Sequence, residues 1–461
     1  MNIHVKRPSF LDAEYNVLNF GAQSSLQYNN REAFQRTIDL CSKQGGGRVF
    51  IPSGYYLTGP IELKDNVHLV LDQNAFVKFT KSKEEYPLIW TEYEGEKRIR
   101  ATSPITADHC QNIAITGYGI LDGSGDLWRE VKQSKVSNAL WEELLKISPY
   151  VVPVKSGGKW CPSESYYKGI LQGEPDYEDA HALEIAREIW DYFRPVFVSL
   201  RHCNTVLIEN VTIQNSPAWN LHPLYCTNFT LHSAHIKNVS YAQNGDGLDL
   251  ESCRNCEISH SYFEVGDDGI CIKSGKNRSA RAIHAPTENV WIHDCKVFNA
   301  HGGFVVGSEM SRGVRNVLVE NCIFSGSDVG LRFKSAMGRG GVVENIVVRN
   351  IMMSQIKAEA ILLTMSYVFH NPTNPNEQKN VTYAEDDIPE FKNISIDRVY
   401  CDAARDSIKI EGLEQKPIHH ITISNTTIQA ENDILVKNAE DILLENVCLN
   451  GKVWNTKYEK K

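Results

Sequence analysis

The chain has 461 residues, of which 23% are charged and 42% hydrophobic, which is the balance of an ordinary soluble globular protein. Its net charge of −9 argues against a nucleic-acid binder and gives no general attraction to anionic polymers. An acidic ligand would therefore have to be recognised by local Arg and Lys side chains.

The N-terminal segment lacks the apolar core of a signal peptide, and no stretch is long and apolar enough to span a membrane. The twelve cysteines are therefore expected to be reduced thiols. Cys253 and Cys256 have zinc-like spacing, but no second pair completes four ligands, so we interpret them as buried. We expect a cytoplasmic protein, or a secreted one if this is a processed form.

The first predicted element is an amphipathic helix over residues 29–44. Asn29 or Asn30 serves as its N-cap, and the glycines from Gly45 onward end it. Such a helix would cap the open end of a stacked fold and cover its apolar edge.

One sequence motif then recurs along the chain: an Asn or a similar residue, followed by a segment rich in Val and Ile in which every second residue is apolar. This alternation is typical of strands, and short strands at a period of about 20–35 residues indicate one coil per repeat. The sequence therefore predicts an all-β, right-handed parallel β-helix of about ten coils. A β-sandwich or propeller competes less well, because propeller blades need about 40 residues each. The copies begin at Asn66, Asn112, Asn204, Asn228, Asn255, Asn289, Asn316, Asn345, Asn393, His420 and Asp441.

Two segments interrupt the repeat in what we predict to be a single domain over residues 1–461. Residues 124–195 are aromatic and helix-leaning, and they form an insertion that we expect to be a wall of the binding cleft. Residues 368–390 are predicted to be a second, polar loop.

Three carboxylates lie in glycine-flanked turns one repeat apart. Asp246 and Asp267 are separated by 21 residues, so we expect them on adjacent rungs, about 4.8 Å apart. With Asp268 they would repel one another and raise at least one pKa, a cost that is usually retained for function. Glycosidic cleavage needs one protonated and one ionised carboxyl group, which this trio can supply.

Cationic and aromatic residues follow on later coils. His301 is followed by two glycines that would let a ligand approach the backbone, and we interpret it as tuning or shuttling a proton. We expect no metal, because no second His stands at ligand spacing. Arg332 and Lys334 point to the same face of a strand, where they could clamp a sugar carboxylate. Tyr367 could stack on a sugar ring.

The ordered motifs NGD, GDD, HGG and RFK resemble those of glycoside hydrolase family 28, the polygalacturonases. Supporting stretches are GGGRVFIPSGYYLTGPIELK, NSPAWNLHP, NGDGLDLESC, GDDGICIKSG and GLRFKSAMGRGGVVENI. The resemblance covers about residues 15–450, and it is closest to bacterial exo-polygalacturonases. It implies an inverting hydrolase of α-1,4 galacturonosidic bonds in pectic oligosaccharides, with no cofactor, no nucleic-acid partner and no membrane partner. The sequence leaves the oligomeric state open.

The resemblance also assigns roles to the candidate residues. Asp267 would be the general acid, Asp246 and Asp268 would hold and deprotonate the attacking water, and His301 would adjust the acid's protonation. On the leaving side, Arg332 and Lys334 would bind the carboxylate of the sugar. Asn244 and Tyr367 would line the same subsite.

Departures from the family pattern are small: Gly245 replaces a Thr, Ala300 a Gly and Phe333 an Ile, and they affect the shape of the subsite. If residues 124–195 close one end of the groove, cleavage should occur from a chain end and release galacturonate.

Three alternatives remain open, and one of them is a non-catalytic helix that only binds polysaccharide. Release of galacturonate from rhamnogalacturonan would leave Arg332 and Lys334 without a carboxylate, because the leaving sugar is rhamnose. A calcium-dependent pectate lyase could share the fold, and it would be sensitive to chelators and make an ultraviolet-absorbing product.

Overall fold

The computed structural model describes residues 3–367 and 383–459, and it confirms the predicted right-handed parallel β-helix. Each coil contributes strands to three parallel sheets, and strands of successive coils pair in register, as Leu248 does with Ile270. The inward side chains of all three sheets form one continuous hydrophobic core.

The three sheets differ in position around the coil. The first sheet carries the candidate site and comprises Ile61–Glu62, Ile105–Asp108, Val198–Arg201, Leu221–Leu224, Leu248–Glu251, Ile270–Lys273, Gly302–Val306, Val329–Lys334, Glu359–Thr364 and Leu435–Lys437. The second comprises Glu14–Asn16, Gly47–Ile51, Val67–Leu71, Gln111–Gly117, Asn204–Glu209, Thr227–His232, Arg254–Ser259, Thr287–His293 and Ile418–Ser424. The third comprises Ser25–Asn29, Gly54–Thr58, Ala75–Phe79, Ile120–Asp122, Thr212–Gln214, His235–Lys237, Tyr262–Glu264, Lys296–Phe298 and Thr427–Asn432.

Four longer strands continue round a corner and belong to more than one sheet. They are Val314–Ser325, Val342–Ser354, Glu390–Glu411 and Ala439–Leu449. The last strand, Lys452–Tyr458, pairs antiparallel with Ala439–Leu449.

The recurring asparagines explain how the coil turns. Most of them adopt the left-handed conformation, for example Asn289 and Asn316 with φ of 59° and 56°, which Asn tolerates better than most residues. Their side-chain amides stack from coil to coil: Asn289 donates to Asn255 at 3.1 Å, and Asn316 donates to Asn289 at 3.2 Å. The sequence repeat is therefore a ladder of turns that sets the register of the stack.

The predicted capping helix is present as Arg31–Lys43, with Asn30 at its N-cap. It buries Phe34 and Ile38 against the first coils, and the Phe34 ring lies 5.8 Å from that of Tyr56. The helix therefore covers the apolar end of the stack, as its sequence pattern indicates.

Residues 124–195 leave the stack between the strands Ile120–Asp122 and Val198–Arg201. Two predicted helical stretches are confirmed, whereas one further helix, a small antiparallel sheet and an earlier hairpin were not predicted. The helices are Asn138–Ile147, Glu164–Gln172 and Ala182–Glu188; the small sheet is Val131–Lys132, Val151–Val154 and Gly157–Trp160; the hairpin is Leu88–Tyr93 with Glu96–Ala101.

Other local features agree with the sequence. One short α-helix, Asn277–Arg281, follows the strand Ile270–Lys273. All twelve cysteines lie in the described part of the chain as free thiols, and Cys253 and Cys256 are fully buried. The polar loop predicted at 368–390 lies mostly outside the described residues. No described helix is both long and apolar enough to cross a membrane. The 3-10 turns are Val17–Phe20, Lys83–Glu85, Gly125–Leu127, Gln133–Lys135, Trp190–Tyr192 and Glu385–Asp387.

Candidate active site

The structure brings the predicted site residues together on consecutive rungs of the first sheet. Asp246, Asp267 and His301 each stand in the turn just before a strand of this sheet. The backbone amide of His301 donates to the carbonyl oxygen of Asp267 at 2.9 Å, so these two turns stack directly on each other. Residues far apart in the sequence therefore share one patch.

The three carboxylates form the centre of that patch. One oxygen from each of Asp246, Asp267 and Asp268 lies within 4.8 Å of the others. The Oδ1 atom of Asp246 is buried and has no hydrogen-bond partner among the described residues. The separation is shorter than the roughly 6.5–9.5 Å typical of inverting glycosidases and close to the roughly 5 Å of retaining ones, so the carboxylate spacing by itself does not favour inversion.

Asp267 is held by three groups. The Nδ1 atom of His301 lies 3.0 Å from Asp267 Oδ1, and the backbone amide of Asn244 donates to Asp267 Oδ2 at 3.2 Å. The backbone amide of Asp268 also donates to Asp267 Oδ1, at 3.1 Å. These contacts fix the orientation of the carboxylate.

The two predicted cations share one internal anion. Lys334 Nζ lies 2.8 Å from Asp268 Oδ2, and Arg332 Nη1 lies 3.3 Å from Asp268 Oδ1. The expectation that both cations point to the same face is therefore confirmed. The ring of Tyr367 lies beside them, with its centroid 5.8 Å from the Arg332 guanidinium and 5.4 Å from Lys334 Nζ. A substrate carboxylate would have to share these cations with Asp268.

The environments of the three acids push their pKa values apart, as expected from the sequence. Burial, together with the charges of Asp249 and Asp267, raises the pKa of Asp246 well above its usual value. Burial alone would raise the pKa of Asp267 too, but His301 and then Lys334 bring it below its usual value. The pKa of Asp268 is likewise lowered against burial by Lys334. Of the three acids, Asp246 is therefore the one whose surroundings most favour the protonated form.

A buried ion network behind the carboxylates was not predicted. Lys273 Nζ lies 3.1 Å from Asp249 Oδ1, 3.7 Å from Glu309 Oε2 and 3.9 Å from the centroid of the Trp219 ring. Burial raises the pKa of Asp249 to about 7, while Lys273 opposes that rise. The sequence did carry a signal, because Asp249 and Lys273 are charges inside otherwise apolar strands.

Two segments outside the stack reach the site. In the insertion, Arg194 Nη2 donates to Asn244 Oδ1 at 2.9 Å, and Lys135 Nζ lies 3.0 Å from His301 Nε2. The insertion is therefore in direct contact with both flanks of Asp267. No periodic signal in the sequence could have located these two contacts.

The hairpin Leu88–Tyr93 with Glu96–Ala101 covers the rungs that precede the acids. Its Tyr93 ring stacks on Trp219 with centroids 4.5 Å apart. At its tip, a Cβ on Gly95 would fall 2.4 Å from the Cα atom of Gly275, so the tip lies directly on the loop after Ile270–Lys273. The hairpin therefore covers this side of the site, above a smaller cavity of about 210 Å³ that is lined by Tyr93, Arg100 and His222.

The opposite side of the site is open. A cavity of about 430 Å³ extends from His301 and Arg332 past Tyr367 to Lys409 on a later rung. The cavity is large enough for one or more sugar rings and contains groups of both charges, including Glu411. The larger cavity therefore lies on the side of the acids that the hairpin does not cover.

One predicted role of glycine was wrong. The sequence suggested that the glycines after His301 let a ligand approach the backbone. Gly303 instead faces the core, where a Cβ would fall 2.4 Å from Cγ of Phe324. At Gly302 a Cβ would fall 2.3 Å from Cγ2 of Val305 and 3.3 Å from Oδ1 of Asp268. Close packing explains Gly303, where the prediction is wrong, whereas Gly302 faces Asp268 in the candidate site and its role stays a prediction.

Comparisons with known proteins agree with this architecture. The chain is 30% identical to a hyperthermoactive exopolygalacturonase from Thermotoga maritima, with a TM-score of 0.78 over 98% of this chain and 95% of that one. It is 28% identical to an exo-poly-alpha-D-galacturonosidase from Dickeya chrysanthemi over 95% of this chain and 71% of that protein. It is 26% identical to a probable polygalacturonase from Vitis vinifera over 89% of this chain and 73% of that protein.

The family model for glycosyl hydrolases family 28 matches residues 191–448, which include all eight predicted site residues. This match spans more than half of the chain. The chain therefore belongs to glycosyl hydrolase family 28 and is a glycoside hydrolase.

Proposed function

We propose that the enzyme hydrolyses α-1,4 galacturonosidic bonds of pectic oligosaccharides from a chain end, releasing galacturonate with inversion of configuration. The observation that carries the proposal is a trio of acids with divergent pKa values, flanked by two cations, in a groove that a hairpin covers on one side. The names of the related proteins support galacturonan as the substrate class.

In this proposal Asp267 donates its proton to the glycosidic oxygen. Asp246 and Asp268 hold the attacking water and accept its proton, and the unpartnered Oδ1 atom of Asp246 supports that role. His301 controls the protonation of Asp267 through the contact at 3.0 Å.

Recognition of the leaving sugar depends on charge. We propose that its carboxylate binds Arg332 and Lys334 while Tyr367 lies along the sugar ring and Asn244 lines the subsite. Because the substrate anion then shares both cations with Asp268, part of the positive charge that lowers the pKa of the acids is neutralised. Substrate binding should therefore raise the pKa of Asp267 and help it to hold a proton.

The proposal of attack from a chain end rests on the unequal ends of the groove. Tyr93, Trp219 and the hairpin tip at Gly95 pack over the rungs beyond Asp246, which supports a groove with little room for further sugars on that side. The cavity that reaches Lys409 leaves room for the rest of the chain on the leaving side. A terminal galacturonate would fit this arrangement, whereas an internal bond would not.

We expect trigalacturonate to be cut into galacturonate and digalacturonate, and the first galacturonate to have the β-configuration. Time-resolved proton NMR of the anomeric signals measures both results at once. Dimer formed from internal bonds of longer oligomers would contradict attack from a chain end. A first product of α-configuration would contradict inversion.

A matched oligosaccharide with alternating galacturonate and rhamnose serves as the control substrate. Faster turnover on the alternating oligosaccharide would reverse the choice of homogalacturonan. The reason for our expectation is that a rhamnose on the leaving side offers Arg332 and Lys334 no carboxylate.

Chelators should leave the activity unchanged. The three carboxylates are close enough to share a cation, but Asp268 already pairs with Arg332 and Lys334, and Asp267 pairs with His301. The measurement is the initial rate of reducing-sugar release with and without EDTA, together with absorbance for unsaturated product. Loss of activity in EDTA, restored by calcium, would indicate a lyase.

A further inference from the structure

The inserted segment places one ammonium group on the candidate histidine. Lys135 ends the 3-10 turn Gln133–Lys135, and its Nζ atom lies 3.0 Å from Nε2 of His301. The other ring nitrogen, Nδ1, lies 3.0 Å from Asp267. Lys135, His301 and Asp267 therefore form one hydrogen-bonded row that ends on the proposed acid.

The position of Lys135 is fixed by its surroundings. The neighbouring Gln133 accepts a hydrogen bond from the backbone amide of Gly158 at 3.0 Å. Val131, Trp141 and Trp160 form a small apolar cluster beneath the turn. Tyr241 packs against the same cluster, which ties the insertion to the loop that carries Asn244. The contact with His301 is thus built into the fold of the insertion.

The hydrogen-bonding capacity of each group defines the direction of the row. An ammonium group only donates, so Nε2 of His301 must accept, and the ring proton must lie on Nδ1 and be donated to Asp267. A proton that makes Asp267 an acid has two places to reside: the Asp267 carboxyl group or Nε2 of His301. Lys135 occupies the lone pair at Nε2, which leaves the proton for Asp267.

We propose that Lys135 is a positioning residue that keeps His301 neutral and thereby holds the acid proton on Asp267. The inference rests on the proposed function, which makes Asp267 the proton donor. Without Lys135 the same proton would move to the ring, and an imidazolium paired with an ionised Asp267 cannot protonate a glycosidic oxygen.

The other charges around the ring act in the opposite direction or at longer range. Asp328 Oδ2 lies 3.7 Å from Nε2 and would stabilise an imidazolium if Lys135 were absent. Lys357 pairs with Asp328 at 3.2 Å, and so weakens that attraction. On the next strand, Arg332 and Lys334 face Asp268.

Two opposing effects act on the protonation of Lys135 itself. Burial lowers the pKa of Lys135, whereas the nearby carboxylates of Asp267 and Asp328 oppose that change. The ammonium group is therefore partly desolvated, which strengthens its electrostatic effect on the ring.

The experiment compares Lys135→Met with Lys135→Arg. In Lys135→Met we expect kcat on trigalacturonate to fall about tenfold or more at every pH, because a constant fraction of the acid proton has moved to the ring. Loss of one positive charge should also shift the basic limb of the pH profile to higher pH. Lys135→Arg keeps a charged donor and should restore most of the activity.

A second readout needs no substrate. Nitrogen-15 NMR of His301 at mildly acidic pH should show one protonated ring nitrogen in the wild-type enzyme and two in Lys135→Met. Lys146→Met is the matched control, because Lys146 lies on the same insertion, is exposed and contacts only Glu143 in this region, at 2.6 Å. It should change neither the spectrum nor kcat.

Several outcomes would overturn the inference. An unchanged His301 spectrum in Lys135→Met, or a rise in KM with unchanged kcat and pH profile, would make Lys135 a substrate contact instead. Two protonated nitrogens in Lys135→Arg would also contradict it. If the spectrum of Lys135→Met changes as expected but the wild-type enzyme cleaves no galacturonate oligomer, the control of His301 by Lys135 is supported and the proposed function is wrong.

Discussion

Replacing Asp267 with asparagine is expected to lower kcat on trigalacturonate by about 10²–10⁴-fold, because an amide cannot deliver a proton to the leaving oxygen. The affinity for the oligosaccharide should stay close to that of the wild-type enzyme. Asparagine has nearly the same shape, and its one carbonyl oxygen can accept a hydrogen bond either from His301 at the position of Oδ1 or from the backbone amide of Asn244 at the position of Oδ2. Steady-state kinetics and isothermal titration calorimetry on the same preparation measure both quantities.

Asp39→Asn is the matched control for this variant. Asp39 lies on the capping helix, is exposed and accepts a hydrogen bond from Gln35 at 2.9 Å. The substitution makes the same chemical change far from the site and should leave kcat unaltered. Activity that survives in Asp267→Asn would show that another group supplies the proton.

The location of the proton makes this test informative. In the empty site the pKa directions assign the proton to Asp246, whereas the proposed mechanism needs it on Asp267. A substrate carboxylate at Arg332 and Lys334 would reduce the positive charge near Asp267. The trio titrates as one coupled system, so this change can move the shared proton from Asp246 to Asp267. Substrate binding would then give both acids the protonation state that their roles require.

The fold was predictable because the same short sequence motif forms each coil and recurs along the chain. Each turn needs a residue that tolerates positive φ, and Asn289, Asn316 and Asn345 supply it at nearly constant spacing. One repeat in the sequence equals one rung in space, so Asp246, Asp267 and His301 could be predicted to stack. The alternation of apolar residues then sets which side chains enter the core.

The parts of the site that were not predicted come from segments that do not carry the repeated coil motif. Lys135 and Arg194 lie in an insertion whose path depends on its own apolar cluster and not on the repeat. Their contacts cannot be derived from spacing, because nothing in the sequence relates the insertion to a particular rung. The hairpin around Gly95 is unpredictable for the same reason.

The role of Asp268 shows a different kind of gap. Spacing indicated repulsion among the three acids, and it indicated that Arg332 and Lys334 needed an anion between them. The sequence did not show that Asp268 is itself the anion between Arg332 and Lys334. Its ion pairs reduce both the repulsion among the acids and the repulsion between the two cations. This pairing depends on the directions of side chains on two neighbouring rungs, and residue spacing alone does not determine those directions.

Replacing Lys334 with methionine tests this pairing, and it is expected to reduce both stability and activity. Lys334 is 8% exposed and lies 2.8 Å from Asp268, so its removal leaves a buried carboxylate with Arg332 as its remaining close cation. Breaking a buried ion pair in this way costs about 3–5 kcal/mol of unfolding free energy. The loss of one carboxylate-binding group should also lower kcat/KM about 10-fold to 100-fold.

The double variant Lys334→Met with Asp268→Asn separates the two effects. It removes both charges of this pair but also takes the carboxylate away from Arg332, so urea denaturation should show part of the lost stability restored. The activity should stay low, since the proposed water-binding carboxylate is now gone as well. Lys392→Met is the control for an ordinary surface pair: its contact with Glu390 at 2.9 Å is partly exposed, and its loss should cost about 1 kcal/mol or less. Wild-type stability in Lys334→Met would mean that the charge pairing around Asp268 does not serve the fold. Wild-type activity in the double variant would mean that the pairing does not serve the reaction.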